Sequence, residues 1–131
     1  MNARFAAAAA ALLAALPALA AAPDIQHAPP ILRAGGPLIV RARITTETEV
    51  YRPRLYWRNA GETAWKEVAL EPQPDGQLAA TVPAREVKGD VEYYLQAFDK
   101  GDISSEGLFA SREAPQRLSQ RVRALQTTTK A

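Results

Sequence analysis

The sequence predicts an all-β protein: a single antiparallel β-sandwich of about seven short strands, with a signal peptide before it and a short basic tail after it. Two observations carry that reading. Runs of alternating apolar and polar residues recur through residues 37–111, separated by glycine, proline or asparagine turn signals and, after Thr45, by the polar loop at residues 46–50. None of these runs alternates with a long helical pattern, so an antiparallel sandwich fits better than a parallel α/β sheet. The clearest run follows Gly89. Val91, Tyr93, Leu95 and Ala97 fall on one side of a period-two strand, and Glu92, Tyr94, Gln96 and Phe98 fall on the other. This run is expected to be the central strand.

Residues 1–20 read as an export signal. Arg4 supplies a short basic start, residues 5–16 are unbroken apolar, and Ala18-Leu19-Ala20 places small residues where signal peptidase reads them. Cleavage is expected after Ala20, because a cut after Ala22 would leave Pro23 immediately downstream. A retained anchor fits poorly, since a spanning helix needs about 20 apolar residues and Pro17 interrupts the run. The exported chain would be periplasmic or extracellular, with no membrane span. Losing Arg4 takes the sixteen basic residues to 15 against 14 acidic ones, a balance that argues against a nucleic-acid partner. The absence of cysteine excludes disulfide staples and a lipid-anchoring cysteine after the signal.

Residues 21–36 form an extended lead-in. Pro23, Pro29 and Pro30 exclude a helix and allow at most a short edge strand near Ile25 to His27. The sandwich is expected over residues 37–111. Leu38, Val40, Ala42 and Ile44 alternate with Arg41 and Arg43, so those arginines should line a solvated face. From residue 51 to 58, Tyr51, Pro53, Leu55 and Trp57 oppose Arg52, Arg54, Tyr56 and Arg58. Asn59-Ala60-Gly61-Glu62 is a hairpin turn, and residues 65–70 return from it with no clear facing. Leu78, Ala80 and Val82 alternate through a strand that ends at Pro83. Residues 84–88 should form a short turn, and Lys100-Gly101-Asp102 a hairpin leading to a last strand. In the tail, residues 112–131, Leu118, Val122 and Leu125 lie at helical spacing among arginines, so the tail is expected to be partly helical or disordered.

Trp57-Arg58, Trp65 to Val68, Asp75-Gly76, Val82-Pro83-Ala84 and the Val91-to-Asp99 strand followed by Gly101 together resemble the immunoglobulin-like or fibronectin type III-like modules of secreted bacterial proteins. The resemblance covers about residues 24–110 and implies the sandwich fold. It implies little about function, because the same fold hosts adhesion, receptor, chaperone and linker roles. Antibody-type domains are excluded by the missing cysteine pair. Tyr93 stands where a corner tyrosine would stand, two residues before Leu95. A looser likeness to starch-binding sandwiches of the glycogen-binding type implies a carbohydrate platform.

Enzyme signatures are absent from the sequence. The lone histidine, His27, lies in the lead-in and reads as an ordinary exposed or edge residue, so no base and nucleophile can be named. One histidine without cysteine makes no zinc set, and no glycine-rich phosphate loop occurs. No cofactor is expected. Asp99, Asp102 and Glu106 could offer oxygens to calcium, but calcium takes about 6 to 8 ligands and the hairpin explains these residues more simply.

The functional candidate is the wet side of the central strand. If the strands at 51–58 and 90–98 are neighbours, Arg54, Tyr56 and Arg58 share an outer face with Tyr94 and Phe98. Aromatics rimmed by arginines have the composition of an interface. Three readings compete: a protein partner; a glycan stacked on Tyr56 and Tyr94; or intramolecular packing, by cross-strand pairs or by the tail folding back over Phe98 and Tyr94. Trp57 and Trp65 read as core or hairpin packing residues. The reading carried forward is a non-enzymatic interaction module that binds protein, with a small carbohydrate-binding module as runner-up.

Overall fold

The computed structural model describes residues 21–121. The expected signal peptide, and Val122 and Leu125 of the tail, lie outside the described residues. Eleven strand segments and one 3-10 turn follow in order: β1 (Asp24–Gln26), β2 (Leu32–Arg33), β3 (Leu38–Thr45), β4 (Val50–Asn59), β5 (Lys66–Ala69), β6 (Glu71–Pro72), β7 (Leu78–Val82), the turn (Ala84–Glu86), β8 (Val91–Asp99), β9 (Asp102–Phe109), β10 (Gln116–Leu118) and β11 (Gln120–Arg121). One sheet runs β1-β3-β7-β6. The other runs β5-β4-β8, and β9 and β10 follow each other along the remaining side of β8. Both sheets are antiparallel, while β2 and β11 form a separate parallel pair.

The all-β expectation holds, and β8 is its centre. Val91, Tyr93, Leu95 and Ala97 are all shut off from water. Leu95 stands opposite Leu55 and Tyr93 opposite Trp57 across the β4–β8 ladder. Leu38, Val40, Ala42, Ala80 and Val82 meet them from the other sheet and complete one core. At one side of the sandwich a single stretch belongs to both sheets. β5 pairs with β4, β6 pairs with β7, and between them Leu70 turns inward and donates its N–H to Pro53 O at 3.0 Å.

β4 breaks the simple alternation expected of it. Tyr51 pairs with Phe98, but Arg54 pairs with Gln96, so β4 spends one residue more than β8 over that interval. Arg52, at φ 48°, is the site of this bulge. One extra residue reverses facing, because side chains alternate with period two. Tyr51 therefore joins Phe98 on the outer face instead of lying inward with Leu55 and Trp57.

The lead-in and the tail both enter the sandwich. β1 pairs with the edge of β3, Ile25 packs on the core, and Leu32 is among the most deeply buried side chains. In the tail, residues 116–118 and 120–121 are extended and not helical. Pro115 disfavours helix before them, and the open edge of β8 at Val91 to Tyr93 offers backbone partners that Gln116 to Leu118 take up. Leu118 is thereby buried at the end of the core, away from Phe98 and Tyr94. Among the described residues no helix is long and apolar enough to cross a membrane.

Two substitutions test this packing. Leu95→Ala should cost about 3 kcal/mol in urea-induced unfolding, the cost of a leucine-sized cavity at a site that cannot collapse. Gly107→Ala should destabilise by roughly 1–3 kcal/mol, since overpacking has no relief where the neighbour is backbone. A Cβ at Gly107 would lie 2.4 Å from Pro23 O. Increased proteolysis near Pro23 would show the lead-in displaced, and wild-type stability in either variant would contradict the packing described.

Candidate functional site

The face of the second sheet turned away from the core is ordered by register. Arg58, Tyr56, Arg54 and Tyr51 on β4 stand opposite Glu92, Tyr94, Gln96 and Phe98 on β8. Glu67 on β5 extends the Tyr56 row, and Leu108 and Glu106 on β9 extend the Gln96 and Phe98 rows. All five residues expected from the sequence therefore share one face, although they divide into two groups.

Four of them are bound up with their neighbours. The Tyr56 and Tyr94 rings stack with centroids 4.9 Å apart and planes 13° apart. Trp65 meets Tyr94 edge-on at 5.1 Å, and the Arg58 guanidinium lies over the Trp65 ring at 4.1 Å. Arg58 Nε also donates to Glu92 Oε1 at 2.9 Å, and Arg54 Nε donates to Glu67 Oε1 at 3.1 Å. The Tyr56 hydroxyl donates to Gln96 Oε1 at 3.2 Å. Burial, reinforced by the nearby Glu67 carboxylate, raises the Tyr56 phenol above its ordinary range and keeps it neutral. Arg112 Nη2 donates to the Tyr94 hydroxyl at 3.4 Å. As a result Tyr94 is only 4% exposed although it lies on the outer face.

The second group is open. Phe98 is half-buried, and beside it Tyr51 is 37% and Leu108 44% exposed. These three cross the sheet from β4 to β9 as an apolar strip. The alternating pattern could not place Tyr51 there, because the bulge that turns it outward leaves no sign in that pattern. Trp65 was likewise legible only as a packing residue. It does pack, but on the outer face against Tyr94 and Arg58. The signal that could have found it is the hairpin itself, which returns β5 beside β4.

The carboxylates near the 100–102 hairpin do not converge. Asp99 points inward, and its Oδ1 accepts hydrogen bonds from the Thr48 hydroxyl and from Gly101 N. The Thr48 hydroxyl, helped by backbone N–H groups, holds this carboxyl below the ordinary aspartate range. Its Oδ2 is buried with no hydrogen-bond partner among the described residues. Asp102 accepts from Ser104, while Glu106 lies on the outer face and accepts from Gln96. Among the described residues no three His, Cys, Asp or Glu side chains are placed to hold a metal ion.

His27 is not the ordinary exposed or edge residue expected. Its Nδ1 lies 2.5 Å from Arg41 O and its Nε2 2.6 Å from the Tyr93 hydroxyl. Its ring meets Phe109 edge-on at 4.7 Å. A carbonyl only accepts, so Nδ1 carries the proton and Nε2 accepts the Tyr93 O–H. The hydroxyl partner of Tyr93 is therefore the lead-in histidine, which ties β3 of one sheet to β8 of the other. Burial lowers the His27 pKa, opposed in part by the hydrogen bond to Arg41. Nothing in the sequence pattern joins positions 27 and 93.

Neither a protein-family model nor a curated protein gives a significant match to this chain.

Stability should respond to acid in two steps. A histidine whose pKa is depressed by folding takes up its proton more readily when unfolded, so its contribution is complete above about pH 6.5 and is lost below that. Asp99, also depressed, contributes above its ordinary value of 3.8 and loses that contribution below it. Chemical denaturation between pH 8 and pH 3 should show both declines. His27→Gln should be less stable than wild type at pH 8 yet lack the first decline, and a first decline unchanged in that variant would place its origin elsewhere.

Proposed function

We propose that this chain is an exported, non-enzymatic interaction module of immunoglobulin-like, fibronectin type III-like architecture, which binds a protein partner through the outer face of its second sheet. The strand order supports the architecture. β1-β3-β7-β6 against β5-β4-β8-β9 follows the A-B-E-D and C′-C-F-G arrangement of such sandwiches. The leader-like pattern of residues 1–20 supports export to the bacterial periplasm or beyond.

One observation carries the binding reading: Tyr51, Phe98 and Leu108 form a contiguous apolar strip on a sheet face whose other aromatics, Tyr56, Tyr94 and Trp65, are packed on one another among arginine, glutamate and glutamine. Arg54 and Arg58, with Tyr56 and Tyr94, form the rigid floor and rim beside it. The carbohydrate reading draws less support. A sugar would need an open ring face, and Tyr94 is covered by Tyr56, Trp65 and Arg112.

Site-specific photo-crosslinking in exporting cells tests the proposal. A photoreactive residue at position 108 or 51 should give a discrete protein adduct, while one at Thr81 on the opposite sheet should not. No adduct at either position, or equal adducts at all three, would overturn the reading. Retention on an immobilised polysaccharide, abolished by Tyr56→Ala, would establish the carbohydrate alternative instead.

A further inference from the structure

We infer that residues 21–28 are an acid-weakened latch: protonation of His27 favours release of this segment from the sandwich while the two-sheet core stays folded. The surroundings of the His27 ring carry the inference. β3 presents Arg41 O to Nδ1 at 2.5 Å, β8 presents the Tyr93 hydroxyl to Nε2 at 2.6 Å, and β9 sets Phe109 edge-on against the ring. The charged groups of these elements lie elsewhere. Arg41 and Arg43 point out from the first sheet, and Asp24 accepts from Gln26 on the exposed side of β1. Glu92 and Glu106 are on the outer face of the second sheet, Asp99 is bonded to Thr48, and Asp102 accepts from Ser104. Among the described residues no carboxylate lies within ion-pair distance of His27.

With the ring neutral, both of its nitrogens are satisfied. A second proton can go only to Nε2, the atom that accepts the Tyr93 O–H. The Tyr93 oxygen must then accept instead, and its own hydrogen is left without an acceptor, since the hydroxyl has no second hydrogen-bond partner among the described residues. Tyr93 is fully buried, so water cannot take that place while the segment is closed. The imidazolium would also carry a half-buried charge that no acid neutralises. Both penalties vanish when His27 swings out into water.

Little else holds the segment. β1 contributes a three-residue ladder to β3, Pro23 is seated on Gly107, Ala21 N donates to Glu47 Oε1 at 3.1 Å, and Ile25 packs half-buried on the core. Beyond His27 the chain passes Pro29 and Pro30 and is anchored again at Leu32, which is buried, and at β2, which pairs with β11. The deeply buried residues of β3, β4, β7 and β8 therefore stay in place when residues 21–28 leave, and such an opening needs far less free energy than unfolding. What it uncovers is specific: the β3 edge from Arg43 to Thr45, and the notch on β9 at Gly107.

Amide hydrogen exchange followed by NMR on the purified protein tests the latch, with protection taken relative to the free-peptide rate at each pH and the His27 ring titrated alongside. In the open segment the ring regains its ordinary pKa of 6.5, while burial lowers the closed value. The open fraction therefore rises as pH falls below 6.5 and levels off below the closed pKa. Protection of the β1 amides and their β3 partners should fall by about three- to tenfold between pH 7.5 and pH 5.5. It should stay at least about a hundredfold below that of the β8 amides at every pH, the mark of an opening that leaves the core folded. His27→Gln should open more readily at pH 7.5 and change no further down to pH 5.5. Equal protection of β1 and β8 would show that the segment leaves only on global unfolding and would overturn the latch. So would a His27 ring that titrates at its ordinary value while β1 stays protected, or the same fall in protection in His27→Gln.

Discussion

The constraint on which this structure depends is the complete exclusion of water from one side of β8. Val91, Tyr93, Leu95 and Ala97 are fully buried, and the first three each fix something beyond themselves. Leu95 and Tyr93 set the register with Leu55 and Trp57 on β4. Val91 receives Leu118, which draws the tail into the sheet. The Tyr93 hydroxyl, carried into the interior by its ring, requires a partner there and finds it in His27. The lead-in is therefore held by a polar demand that the core itself creates.

The opposite side of β8 follows a different economy. Its charged residues are mostly paired across strands, Arg58 with Glu92 and Arg54 with Glu67, and its rings pack on one another. Exposed ion pairs of this kind add little to stability individually. Their effect is geometric: each arginine is fixed by a carboxylate and, for Arg58, by the Trp65 ring. The part of the face near Tyr94 is thereby closed, and the Tyr51, Phe98 and Leu108 strip is the part left open to water.

Much of the sandwich was legible because period-two alternation reports directly on which side of a strand is dry. The burial of Val91 to Ala97, the turns at Gly61 and Gly76, and the shared face of Arg54, Tyr56, Arg58, Tyr94 and Phe98 all follow from that pattern. The pattern misplaced Tyr51, because a bulge inserts a residue without changing residue types. The spacing of Leu118, Val122 and Leu125 also suggested a tail partly helical or disordered, whereas residues 116–118 fill an open strand edge that helical spacing cannot foresee. His27 was invisible as a core contact because its partner lies 66 residues away.

By itself the sequence determined the fold class, the central strand and the composition of the candidate face. Those are properties of neighbouring residues, and local periodicity encodes them. Only the tertiary structure decided which aromatics are covered, which way Tyr51 faces and what His27 holds together. Each of those depends on register between strands far apart in the chain, and register is settled by the joint packing of two sheets.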